Sequence, residues 1–178
     1  MKNKNIIFIG GIHAVGKGTV CEKITQKFNF EHLSASQVLK WNEMSDLENK
    51  KVQDFGTTQN RLLTNLEKIT KPNKRYLLDG HFTLLNSKGE PEKIDESTFV
   101  GIQPKSIILL TCEPKIIFER LKKRDNSTYK LEVLEKMQVM EIEHAKYISH
   151  KLEIPLFTVI DGDTTSIFEY LENYENTY

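Results

Sequence analysis

One stretch constrains this chain more than any other: Ile6, Ile7, Phe8, Ile9, Gly10, Gly11, Ile12, His13, Ala14, Val15, Gly16, Lys17, Gly18, Thr19. An apolar run stops at glycine, a glycine-spaced loop follows, and a periodic segment from Val20 reads as a helix. The spacing Gly11-x-x-x-x-Gly16-Lys17 is that of a phosphate-binding P-loop. The hydroxyl residue that normally follows the lysine is displaced one place, to Thr19, with Gly18 between.

The residue types follow from the chemistry of holding an anion. Backbone N–H groups from Gly11 through Val20 converge on phosphate oxygens, and the dipole of the following helix adds to the field. Gly11 and Gly16 let the backbone curl close to the anion without a Cβ clash. Lys17 bridges outer phosphates as a point charge. The hydroxyl of Thr19 suits Mg²⁺, and His13 is expected to project from the loop without touching phosphate. The loop therefore points to a nucleoside triphosphate, and leaves open what receives a phosphoryl group.

At 178 residues the chain is long enough for one compact domain, 1–178, with a substantial core. Lysine and arginine balance aspartate and glutamate at 25 each, which speaks against a dedicated nucleic-acid surface. Cys21 and Cys112 lack zinc-site spacing and read as reduced structural thiols. No apolar run approaches membrane-spanning length and no secretory segment is visible, so a cytoplasmic chain is expected.

Further strands are expected at Phe30–Leu33, Tyr76–Leu78, Ser106–Thr111 and Leu156–Ile160, separated by helical patterns. Helices are expected over Gly18–Phe28, from Ser34 through Trp41, and over Thr57–Thr70. Later ones follow from Pro114, over Tyr129–His150 and around Ser166–Leu171. Met44–Asn49 reads as a polar loop. From Phe82 to Gln103 the pattern weakens, with a turn at Asn86–Pro91, and a substrate flap or an irregular crossover is expected. Strands alternating with helices predict a three-layer α/β/α fold with a parallel five-stranded sheet.

The loop, including glycine directly after lysine, resembles that of the nucleoside monophosphate kinases, in particular the adenylate kinase family and its archaeal-type members. Leu77-Leu78-Asp79-Gly80-His81, the strand at Pro104–Leu110, and Phe118-Glu119-Arg120-Leu121 running to Arg124-Asp125 are similar to further segments of that family. The resemblance implies a P-loop NTPase fold with two insertions: an acceptor-binding helical region at about 34–71 and a short lid at about 120–130. It also implies ATP-dependent phosphoryl transfer to a nucleoside monophosphate with Mg²⁺.

Residue by residue, the resemblance implies that Lys17, Arg120 and Arg124 stabilise the transferred charge, and that Thr19 and Asp79 organise Mg²⁺, Asp79 through water. Asp161 and Gly162 resemble the loop near adenine; otherwise they form a plain turn, with Asp163 capping the last helix. Ser34, Lys40, Gln59 and Arg61 are the candidates for the acceptor, with Trp41 beside them, and His81 is available to substrate or to the flap. Lys40 stands where the family carries arginine, and lysine cannot reproduce a bidentate guanidinium clamp. The lid carries Tyr129 and Lys130 where more arginine is usual. Two alternatives therefore stay open: a P-loop kinase for another small molecule, and an ATP-binding or ATPase switch serving a protein partner. The oligomeric state is open as well.

Overall fold

The computed structural model describes residues 5–45, 55–125 and 129–175. Of the polar loop expected at Met44–Asn49, Met44 and Ser45 instead end a helix, while 46–49, residues 126–128 of the expected lid and the side chain of Trp41 lie outside the described residues.

The order of elements is β1 (Asn5–Gly10), α1 (Lys17–Lys27), β2 (Glu31–Ser34), α2 (Ala35–Ser45), α3 (Phe55–Ile69), β3 (Arg75–Asp79), β4 (Thr83–Leu85), β5 (Pro91–Lys93), α4 (Glu96–Ile102), β6 (Ser106–Thr111), α5 (Pro114–Asp125), α6 (Leu131–Leu152), β7 (Leu156–Ile160) and α7 (Thr165–Glu175). Five strands form one parallel sheet in the order β2-β3-β1-β6-β7. The chain runs to one side of β1 for β2 and β3, then crosses to the other side for β6 and β7. β1 thus lies at the switch in strand order, where open α/β sheets leave a crevice beyond the strand C-termini. Gly10 and the loop after it stand at that crevice.

Each strand of the sheet centre is apolar on both sides because both faces are covered. β1 shows the division. Ile7 and Ile9 enter a core with Val20, Cys21, Ile24 and Phe28 of α1, Ile117 and Leu121 of α5, and Ile167 and Leu171 of α7. Ile6 and Phe8 enter a second core with Val38, Leu62, Leu66, Phe99 and Ile102. Helix α6, 22 residues and so about 33 Å long, joins the two. Leu134 and Met137 pack in the first core, Ala145 and Ile148 in the second.

The stretch from Phe82 to Gln103 is an ordered crossover. β4 and β5 pair antiparallel around a turn in which the Gly89 N–H donates to the Asn86 carbonyl at 2.9 Å. Gly89 sits at φ 77°, where a side chain would be strained. Asp95 then caps α4 by accepting from the Ser97 N–H at 2.8 Å. The periodic signal is weak because two three-residue strands are too short to show alternation.

Phe82 anchors this crossover under the β1 loop. Its ring lies 5.0 Å from Phe8 and 4.8 Å from Phe99, edge-on and stacked respectively. Gly10 makes room for it: a Cβ there would lie 2.3 Å from Phe82 Cε2. Among the described residues no helix is long and apolar enough to cross a membrane.

Candidate functional site

The loop between β1 and α1 has the backbone its glycines permit. Gly11 sits at φ 143° and Gly16 at φ 111°, conformations that side-chain-bearing residues rarely adopt. At Gly11 the space is tight, with a virtual Cβ 2.9 Å from the Leu110 carbonyl oxygen. At Gly16 and Gly18 the opposite holds: a Cβ would meet nothing within 4 Å. The glycines therefore leave an open cradle at the N-terminus of α1, faced by N–H groups and the positive end of the helix dipole. That is the shape and field an anion requires.

Lys17 is buried at this mouth. Its ammonium donates to the Gly11 carbonyl at 2.6 Å and the Ile12 carbonyl at 3.2 Å, and lies 3.2 Å from His81 Nε2. Burial lowers its pKa to about 8, against the pull of Glu141 and Asp79. The lysine is still mostly charged at neutral pH, so His81 Nε2 accepts. Burial and the neighbouring Lys17 and His13 push the His81 imidazole down to about 2, which fixes it as neutral.

His13 does not simply project from the loop. Its ring lies 4.3 Å from that of His81 and 6.3 Å from that of Tyr129. Burial, then Lys17 and Arg124, lower its pKa. Two imidazoles, both biased toward the neutral form beside a lysine, thus group with the Tyr129 ring at the loop.

Arg120 reaches the same loop from α5. Its Nη1 donates to the Ala14 carbonyl at 3.2 Å and the Val15 carbonyl at 3.4 Å. Arg124, one helical turn further, is close enough for its charge to bear on His13. Asp79 ends β3 beside β1, in register with Ile9. Its Oδ2 lies 2.5 Å from His32 Nε2, on the side away from β1. Thr19 is exposed on the first turn of α1. Thr19 carries a hydroxyl and Asp79 a carboxylate, oxygen donors of the type that suits Mg²⁺.

The other candidates are more scattered. Ser34 reaches the rim because it pairs with Asp79 across the β2–β3 ladder, and its Oγ lies 3.0 Å from Ser36 Oγ. Lys40 is exposed on α2, while Gln59 and Arg61 are half-buried on α3. The two helices are tied together by the Asn65 side-chain amide, which donates to the Val38 carbonyl at 2.7 Å. Asp161 and Gly162 both adopt positive φ in the turn after β7. The Asp161 N–H donates to the Thr111 carbonyl at 3.0 Å, and Lys23 of α1 reaches the Gly162 carbonyl at 3.5 Å. Asp163 accepts from the Thr165 N–H at 3.0 Å at the start of α7.

Sequence reasoning missed Glu141. This carboxylate is 1% exposed and sits in the centre of α6. Its Oε1 accepts from the Gly11 N–H at 2.9 Å and the Phe82 N–H at 2.8 Å. Its Oε2 accepts from the Thr83 N–H at 2.7 Å and the Thr83 hydroxyl at 2.6 Å. One side chain thus ties the entry of the loop to the segment carrying His81. Burial pushes its pKa up, while Thr83, the two N–H donors and Lys17 pull it down. The signal was present: Glu141 interrupts the apolar face made by Leu134, Met137, Ala145 and Ile148. A charge on a buried helix face is kept only where partners satisfy it.

Residues 10–138 match the family model described as AAA domain. Adenylate kinase isoenzyme 5 of Mus musculus is 25% identical over 177 residues, which is 92% of this chain and 29% of that protein. Adenylate kinase isoenzyme 1 of Homo sapiens is 27% identical over 139 residues, 72% of this chain and 68% of that protein. The chain therefore spans under a third of the first relative and about two thirds of the second. Among solved structures, a protein of Chloroflexus aurantiacus aligns over 99% of this chain and 98% of its own, with TM-score 0.57 at 14% identity. A sugar kinase from Janibacter sp. HTCC2649 aligns over 90% of this chain and 87% of its own, with TM-score 0.55 at 10% identity. Both structures share the fold. The sequence matches relate the chain distantly to adenylate kinase-like enzymes.

Proposed function

We propose that this chain, which belongs to the AAA domain family, transfers the terminal phosphoryl group of ATP to a nucleoside monophosphate. The observation that carries the reading is the open cradle at Gly16 and Gly18 with Lys17 buried at its mouth. The distant likeness to adenylate kinases supports the acceptor class.

In this reading the N–H groups of the loop after Gly11 and of the first turn of α1 hold the donor phosphates, while the Gly11 N–H, expected among them, stays on Glu141. The Lys17 ammonium exchanges its hold on the Gly11 and Ile12 carbonyls for phosphate oxygens, while neutral His81 keeps it aimed. Arg120 and Arg124 approach from α5 and neutralise the negative charge that spreads over the transferring group. No general base is needed, because the attacking phosphate oxygen is already anionic. Thr19 and, through water, Asp79 would hold Mg²⁺, which supplies charge neutralisation between the outer phosphates. The monophosphate lies over α2 and α3, with Ser34, Lys40, Gln59 and Arg61 toward it and Asp161–Gly162 beside the donor base. Tyr129 and His13 exclude water from the loop, which matters because water in place of the acceptor gives hydrolysis.

The test is a coupled assay of the purified chain with ATP and each common ribo- and deoxyribonucleoside monophosphate, with nucleosides and sugars as further acceptors. Acceptor-dependent ADP formation with one or more monophosphates supports the reading. ATP binding without turnover on any monophosphate at saturation refutes it, and turnover on a sugar or nucleoside alone moves the acceptor to another class.

A further inference from the structure

Beside the loop, on the β2 side of α1, lies a group of side chains of which the phosphoryl-transfer reading uses only Asp79. A thiol from Cys21, an imidazole nitrogen from His32 and a carboxylate oxygen from Asp79 all lie within 4.8 Å of one another. Among the described residues it is the one cluster of this kind. We propose that Cys21, His32 and Asp79 form a binding site for a thiophilic divalent cation such as Zn²⁺.

Four observations carry the proposal. The first is the donor set. Sulfur, imidazole nitrogen and carboxylate oxygen together suit zinc, whereas Mg²⁺ takes oxygen ligands and avoids sulfur.

The second is spacing. Zn–S of about 2.3 Å and Zn–N or Zn–O of about 2.0–2.2 Å place tetrahedral ligand atoms roughly 3.3–3.6 Å apart. The present separations reach that by modest side-chain rotation. The His32 Nε2 and Asp79 Oδ2 pair, at 2.5 Å, opens as the cation takes the place of the hydrogen bond between them.

The third is rigidity. The three ligands come from α1, β2 and β3. The ladder that pairs His32 with Leu77 and Ser34 with Asp79 fixes the two strands. Cys21 packs in the core between α1 and the sheet.

The fourth is access. Cys21 is fully buried and so shielded from oxidants, whereas the side chains of His32 and Asp79 are 34% and 16% exposed. A cation enters from their side and keeps water as its fourth ligand. This is the open arrangement of exchangeable or catalytic zinc rather than the closed four-ligand structural type.

Occupancy has a consequence for the proposed phosphoryl transfer, and that consequence rests on the functional reading above. Asp79 committed to a cation beside Cys21 is withdrawn from Mg²⁺ at the loop, so Zn²⁺ acts as an inhibitor that Mg²⁺ does not mimic.

The experiment is titration of the nucleotide-free chain with Co²⁺, read by absorbance, so that it does not depend on any activity. One Co²⁺ per chain is expected, with a near-ultraviolet thiolate-to-cobalt band and visible bands of tetrahedral intensity, both lost when Zn²⁺ is added. The thiolate band disappears in Cys21→Ser and persists in Cys112→Ser. His32→Gln, a change at a partly exposed side chain, weakens Co²⁺ binding at least tenfold. Absence of a thiolate band in the wild-type chain, its loss in Cys112→Ser instead, or unchanged affinity in His32→Gln each overturns the site. If Cys21→Ser does not fold, the Cys112→Ser and His32→Gln arms still decide. Failure here leaves the phosphoryl-transfer reading untouched, and failure of transfer leaves the cobalt spectrum unchanged.

Discussion

Replacing Glu141 by Gln is expected to cost about 2–4 kcal/mol of stability and to loosen the phosphate loop at the same time. The isosteric amide has one acceptor oxygen where the carboxylate has two. Placed at the Oε1 position, that oxygen keeps the Gly11 and Phe82 N–H groups satisfied. The amide nitrogen then faces the Thr83 N–H, a donor against a donor. The Thr83 hydroxyl can turn to accept, but the Thr83 N–H cannot, and a buried orphan donor costs roughly 1–3 kcal/mol. The two bonds that remain change from charge-assisted to neutral, a further loss of about 1 kcal/mol each. Part of this is returned because a charge no longer has to be buried, which brings the net figure to about 2–4 kcal/mol. For a chain of this size that is a Tm lower by roughly 4–16 °C.

Urea unfolding gives the stability change, and titration with a non-hydrolysable ATP analogue gives the affinity of the loop. Both should fall, because Gly11 is held by Glu141 and its neighbours Ile12 through Gly16 form the cradle. A Glu141→Gln chain within about 0.5 kcal/mol of wild type, the range of an ordinary surface change, with unaltered analogue affinity would refute the idea that this carboxylate organises the loop.

Other perturbations follow from the same geometry. Gly10→Ala should cost about 1–3 kcal/mol by overpacking against Phe82, and the added change Phe82→Leu should recover part of it in a double-mutant unfolding series. Gly16→Ala meets no neighbour, so its cost to folding is set by φ alone, roughly 1–3 kcal/mol. Its phosphate affinity should fall because the methyl group fills the cradle. His144, whose Nε2–H donates to the Ile94 carbonyl at 2.7 Å, has its pKa lowered chiefly by burial. The unfolded chain then binds the proton more readily, so stability is full above the unfolded pKa of about 6.5 and falls as the pH drops below it. Chemical denaturation at pH 7 and pH 5 should show a shallower decline in His144→Gln than in wild type.

What could be read in the residues divides along physical lines. Ser106–Thr111 and Leu156–Ile160 both stand where the apolar runs put them: the first is buried on both faces and needs nothing but a continuous apolar run, and the second is the half-exposed edge strand beside it. The layers and the five parallel strands follow from the alternation of such runs with helices. In the β4–β5 hairpin the residues show the turn at Asn86–Pro91 but not the two strands, so a substrate flap and an irregular crossover read equally well. Its strands are short, and what orders it is distant in sequence: the Phe8 and Phe99 rings on Phe82, and Glu141 on Thr83.

Within the site, the glycine spacing announced the cradle, since a backbone requirement leaves a mark at fixed positions. It could not say that Lys17 folds back onto its own loop carbonyls and against His81, or that His13 stacks on that same histidine. The contacts with His81 join the β1–α1 loop to the segment after β3, 64 residues on for Lys17, so the fold sets the partner. Glu141 belongs to an intermediate class. Its position on an apolar helix face marked it as satisfied by something, and only the tertiary structure names Gly11, Phe82 and Thr83.

The central claim is that the loop after β1 delivers the terminal phosphoryl group of ATP to a monophosphate, and the position of a radioactive label tests it most directly. The chain is incubated with Mg²⁺, γ-³²P-labelled ATP and a mixture of nucleoside monophosphates, and the products are separated. Label is expected in a nucleoside diphosphate, abolished by Lys17→Met while the fold is retained. Label found solely in inorganic phosphate, or transfer to a diphosphate that survives Lys17→Met, would contradict it.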